Sequence, residues 1–141
     1  RENGGACVFC SDEQDIWAPR ILSGFDGDRD TAGPFGDRLA MALTADEQHC
    51  NSRGFVHGGL ISAIADNAMG LSCATHHEST SGLVTISLHV DFVGKAMKGD
   101  WLEFETLFVK PGRSVDIAQG RVLANGTPCA LIGATFKVMT K

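Results

Sequence analysis

From His57 to Ala74 the chain carries no lysine, arginine or glutamate, only small and apolar residues broken by a few polar ones. At 3.6 residues per turn this stretch predicts a helix of about five turns. A helix that is small or apolar on nearly every side has to be covered by the rest of the fold. Two residues are not explained by packing: His57 at the mouth of the helix and Asp66 in its middle. A buried carboxylate is costly unless it is paired or neutralised, so Asp66 is the first candidate functional residue.

The flanking segments say what does the covering. Arg38 to Thr44 alternates loosely and suits a short strand, and Ala45 to Phe55 is polar, glycine-bearing loop. That loop delivers Asn51 and Gly54 to the helix start. Beyond the helix, Leu83 to Val93 alternates, predicting Val84, Ile86, Leu88, Val90 and Phe92 on a core face and Thr85, Ser87, His89 and Asp91 on a polar one. Trp101 to Lys110 and Ser114 to Leu123 are joined by Pro111-Gly112, a pair suited to a type II turn. Asn125-Gly126, a strong hairpin signal, leads into a last strand from Cys129 to Val138. The expected fold is α+β, with an antiparallel sheet curved around one long central helix.

With 141 residues the chain reads as one domain, preceded by an irregular arm over residues 1–34 and occupying residues 35–141. A net charge of −5 argues against nucleic acid as the main partner, though a local basic patch can still hold a phosphate-bearing ligand. No apolar run approaches the roughly 20 residues of a membrane span. The first residue, Arg1, is not a methionine, which leaves room for upstream residues.

Five scattered cysteines point to a reducing, cytoplasmic setting. Cys7-Val8-Phe9-Cys10 has a metal-like spacing, but no second pair follows and only His49 and Cys50 could complete a zinc site. The acidic, glycine-rich run from Gly24 to Pro34 lacks the closing glutamate of a calcium loop. No metal and no cofactor are expected. His76 and His77, at the helix end, are expected to meet its terminal carbonyls.

Asn51-Ser52-Arg53-Gly54-Phe55-Val56-His57-Gly58-Gly59, followed by Asp66, resembles the N-x-x-G-x-x-H-G-G…D signature of hotdog-fold acyl-CoA thioesterases of the PaaI-like type. The strand pattern behind it fits as well, so the resemblance covers roughly residues 35–140. Helical geometry adds an independent constraint. Nine residues separate Asp66 from His57 by about 180° around the axis and about 13 Å along it. One protomer cannot place both in a single small site. If both function, the site is composite across a symmetric interface, which agrees with the dimers and dimers of dimers that the resemblance implies.

The chemistry of thioester hydrolysis then suggests roles. A helix N-terminus offers free N–H groups and a favourable dipole to a developing oxyanion. The resemblance implies that the Gly58 N–H and the Asn51 amide hold the thioester oxygen, and that His57 orients Asn51 or assists the leaving sulfur. Asp66 of the partner subunit would act as general base or nucleophile. Thr85 stands where a human relative has a serine that places the water. Gly59 is expected beside the substrate, and Arg113, Ser114 and Lys110 near the coenzyme, with Arg113 the best phosphate ligand. Phe55, Met69, Phe92 and Met97 are candidates for an acyl pocket, as well as for plain core. The substrate is expected to be a small-molecule acyl-CoA. Two other readings stay open: a non-catalytic acyl-CoA-binding hotdog module, and a hotdog hydratase or dehydratase of enoyl or 3-hydroxyacyl thioesters.

Overall fold

The computed structural model describes residues 20–21, 40–78 and 82–140. Cys7, Cys10, the run from Gly24 to Pro34, Arg38 and Leu39 lie outside them. Strands β1 (Arg20–Ile21) and β2 (Ala40–Thr44) are followed by a 3-10 turn, Glu47–His49, and the helix α1 (Gly58–Ala74). Four long strands complete the chain: β3 (Gly82–Phe92), β4 (Trp101–Lys110), β5 (Val115–Ala124) and β6 (Thr127–Met139). All pair antiparallel in one sheet, in the order β1-β2-β4-β5-β6-β3. This is the expected helix on an antiparallel sheet, with β4, β5 and β6 as a meander.

Asn125 and Gly126 take positive φ of 47° and 82°, the type I′ geometry that the right-handed twist of two joined strands favours. The β4–β5 connection differs from expectation, because Gly112 does not adopt the left-handed φ of a type II turn. It is needed for space instead: a Cβ there would run into the Val115 carbonyl oxygen.

The helix is not covered on all sides. Leu60, Ile61, Ile64, Ala65, Ala68, Met69, Ser72 and Cys73 are buried at helical spacing, against Leu102, Phe104, Ala118, Val122, Ala130, Ile132, Ala134 and Phe136 of the sheet. Gly59, Ala63 and Asn67, on the opposite side, are exposed. The residues are small or apolar on nearly every side, yet the sheet takes only one stripe of them. Met69 belongs to that core and is not available to a pocket.

A bulge corrects the expected faces of β3. Thr85 lies opposite Phe136 and Ser87 opposite Thr135, so Ile86 is an extra residue with no partner of its own. Residues directly opposite one another share a face. Leu83, Thr85, Leu88, Val90 and Phe92 oppose the buried Val138, Phe136, Ala134, Ile132 and Ala130, and so lie on the helix side. Val84, Ser87, His89 and Asp91 lie on the outer side. Strict alternation puts Thr85 on the outer, polar face, and the extra residue is what turns it toward the helix.

Candidate active site

The loop before α1 is fastened on both sides. The Asn51 side-chain oxygen accepts from the Arg53 and Phe55 N–H groups at 2.9 and 3.2 Å, and Gly54 donates to the Asn51 carbonyl with a positive φ of 78°. Those contacts close the turn that the Asn-x-x-Gly spacing encodes. Val56 donates to Ala96, Lys98 donates to Gly54, and Phe55 bridges to Met97, which ties the turn to the segment after β3. On the other side, His57 donates its N–H to the His49 carbonyl. His49 itself is buried, and its Nδ1 accepts from Asp46 at 2.8 Å as part of a capping box, so it serves the loop.

His57 is the N-cap of α1, but its side chain makes no capping bond and is exposed. The first N–H groups of a helix have no intrahelical partner, and here they belong to two residues without side chains, Gly58 and Gly59. The ring of Phe92 lies over Gly58, where a Cβ would stand 2.8 Å from its Cζ. Gly59 faces open space. Phe55, Val56, Gly58, Ile61, Phe92, Gly94, Lys95 and Ala96 enclose a cleft of about 290 Å³ at this helix end. Of the expected pocket residues, Phe55 and Phe92 line it, while Met97 is exposed beside it.

Asp66 is half-buried rather than enclosed, and Thr85 donates its hydroxyl to the Asp66 carboxylate at 2.8 Å. The pair sits at the far end of β3 from Phe92, about 20 Å away over six paired positions at a rise of about 3.3 Å per residue. Asn51, His57 and Gly58 therefore gather at one end of the fold, and Asp66 and Thr85 at the other.

Arg113 and Ser114 line a second cleft, of about 300 Å³, together with Lys137, Val138, Met139 and Thr140. It lies at the Thr85 end of the sheet, since Lys137 is opposite both Val84 and Val115. Lys110, at the end of β4, does not line it. Lys137 does, and the sequence signal for it was a lone cation in an otherwise uncharged strand. His76 meets the Ser72 carbonyl as expected, but His77 instead places Nε2 2.6 Å from Asp116. Among the described residues no group of three His, Cys, Asp or Glu is placed to hold a metal ion, and no helix is long and apolar enough to cross a membrane.

The family model of the thioesterase superfamily matches residues 53–127. A Pseudomonas aeruginosa protein named "Putative esterase" is 41% identical over 99 residues, covering 66% of this chain and 74% of that protein. Two solved structures share the fold. A variant of the phenylacetic acid degradation protein PaaI from Thermus thermophilus aligns with a TM-score of 0.69 at 21% identity, over 86% of this chain and 93% of its own. A Bacillus halodurans protein solved with CoA aligns with a TM-score of 0.71 at 21% identity, over 86% of this chain and 74% of its own.

Proposed function

Because the chain belongs to the thioesterase superfamily, we propose that it is an acyl-CoA thioesterase whose active site is shared between two subunits. The observation that carries this reading is the separation of two incomplete half-sites along β3. At one end, beside Phe92, are the N–H groups of Gly58 and Gly59, without a hydrogen-bond partner among the described residues, and at the other a carboxylate hydrogen-bonded to a hydroxyl.

β3 supplies the means of joining them. Its only neighbour among the described residues is β6, so one edge is open over its whole length. Val84, Ile86, Leu88 and Phe92 are exposed along it. A long apolar edge of this kind is a template for another strand. A second copy pairing antiparallel about a two-fold axis must set helix-side residues opposite helix-side residues, so the axis passes through a residue rather than between two. Centring it on His89 brings Thr85 of the partner subunit opposite Phe92. Asp66 of the partner subunit then faces Gly58.

In that arrangement the Gly58 N–H polarises the thioester carbonyl and stabilises the oxyanion as charge develops on it. The Asn51 Oδ1 is occupied by its own turn, which leaves the Nδ2 amide to donate to the same oxygen. Asp66 of the partner subunit accepts a proton from the attacking water, and the partner's Thr85 fixes the carboxylate and shares in placing that water. His57, exposed and uncapped, is free to stabilise or protonate the departing sulfur. Gly59 leaves room for the substrate. The acyl group enters the cleft between Phe55 and Phe92, and coenzyme phosphates meet Arg113, Ser114 and Lys137, where a guanidinium gives charge-assisted bonds. The free thiols of Cys50, Cys73 and Cys129 support a reducing, cytoplasmic setting.

The test is thiol release from short, medium and aryl acyl-CoAs by the wild type and Asp66→Asn. Hydrolysis that falls about 10²-fold or more in the variant, as expected for a lost general base, supports the reading. Coenzyme binding without thiol release from any thioester would instead identify a binding module.

A further inference from the structure

We infer that Asp116 is a positioning residue for the coenzyme, holding the turn that carries Arg113 and Ser114 against the end of α1; this rests on the acyl-CoA reading above.

Asp116 is fully buried on the helix side of β5. Its two oxygens are divided between two parts of the chain. Oδ1 accepts the Gly112 N–H at 2.9 Å, and Oδ2 accepts from His77 Nε2 at 2.6 Å. A carboxylate oxygen only accepts, so the Nε2 proton is on the histidine. Gly112 immediately precedes Arg113, and His77 lies just past the end of the helix whose middle carries Asp66. One side chain thus sets the phosphate-facing turn relative to the helix that bears the proposed base. A second tie, Val138 N–H to the Ser114 carbonyl at 3.0 Å, fixes the other side of the turn and joins it to the strand that carries Lys137.

Stability alone is a weak reason for this arrangement. Burying a carboxylate contributes little net stability even when it is hydrogen-bonded, and well-packed apolar residues of similar volume usually do as well. An apolar residue at position 116 could not, however, hold the Gly112 N–H. Gly112 has room for no Cβ, so the chain there folds tightly onto Val115 and points Arg113 outward. Arg113 is exposed, and it has no fixed side-chain partner among the described residues. Where its guanidinium sits depends on the backbone of the turn, and charge-assisted bonds to phosphate depend on that placement.

The experiment measures coenzyme A binding by calorimetry for the wild type, Asp116→Asn and His77→Gln. In parallel, it compares hydrolysis of an acyl-CoA with that of the same acyl group on N-acetylcysteamine, a thiol that lacks the nucleotide and its phosphates. Both variants are expected to raise the coenzyme A Kd and the acyl-CoA KM about tenfold, with kcat within twofold. Turnover of the N-acetylcysteamine thioester is expected to stay unchanged, which a general loss of structure would not allow. Equal losses on both thioesters, unchanged coenzyme binding in folded variants, or no coenzyme binding by the wild type would each overturn the inference. If Asp116→Asn does not fold, His77→Gln decides alone. Coenzyme binding without hydrolysis by the wild type would end the thioesterase reading while leaving the binding comparison valid.

Discussion

β5 and β3 are strands of nearly equal length in one sheet, and they use their apolar residues in opposite ways. β5 is paired on both edges, and Ala118 and Val122 sink fully into the core beneath α1. Among the described residues β3 is paired on one edge, and residues Val84 to His89 are all exposed, although three of them are large aliphatics. Inside one protomer, β5 has finished its packing and β3 has not. The half-sites proposed at the two ends of β3 would be unfinished in the same sense. On this account one event, pairing of β3 with a second β3, completes both the apolar edge and the catalytic site.

Two residues of matched exposure give the sharpest way to break that comparison. Leu88 on β3 and Ile117 on β5 are 37% and 39% exposed, so a lysine at either should cost a folded protomer little. Leu88→Lys places a charge at the proposed pairing edge, where lysine blocks strand addition. It is expected to give a folded monomer in sedimentation, with thioester hydrolysis reduced about 10²-fold or more. Ile117→Lys is expected to leave assembly and rate as they were. Equal behaviour of the two variants would remove the distinction between the strands.

The register is tested by His89→Cys. With the two-fold axis through residue 89, the two thiols face each other within disulfide reach, and mild oxidation is expected to give a covalent dimer in most of the protein. Leu88→Cys is expected to cross-link far less. A reversal of that order would move the axis by one residue and separate Thr85 of the partner subunit from Phe92.

The contrasting, finished region makes the smallest prediction. Burial, with the Asp116 carboxylate adding to it, pushes the Cys73 thiol up to about 12 from its ordinary 9.0. The folded state therefore resists ionisation that the unfolded state permits. This contribution is whole below pH 9 and is lost as pH rises toward 12. Tm is expected to fall across that window, with a shallower fall in Cys73→Ala. In the native protein at pH 8, Cys73 is expected to resist thiol reagents that label it readily after unfolding.

Much of the fold was legible because local signals agreed with tertiary ones. The stretch from His57 to Ala74, without lysine, arginine or glutamate, became α1 and its N-cap, and Asn125-Gly126 became the turn between β5 and β6. Residues of the candidate site were legible as types, through the Asn-x-x-Gly turn and the paired glycines at the helix start. Their surroundings were not. The bulge at Ile86 carries no sequence mark, because a period of two has no symbol for an extra residue, and it alone turns Thr85 toward Asp66. The His77–Asp116 contact joins residues 39 apart in sequence, and only the sheet brings them together. The exposed side of α1 was invisible for a similar reason: Gly59, Ala63 and Asn67 are small enough to suit either a core or an open surface.

The most direct test of a shared site is complementation between two defective subunits. Asp66→Asn removes the proposed base, and His57→Ala removes an exposed side chain that caps nothing, so both should fold. Each alone is expected to be strongly impaired. Co-refolded in equal amounts, half of the dimers are mixed and hold one intact site each, so activity should recover to about a quarter of the wild type. A mixture that stays as inactive as its parents, in dimers shown to have exchanged subunits, would contradict the account and place each active site within a single chain.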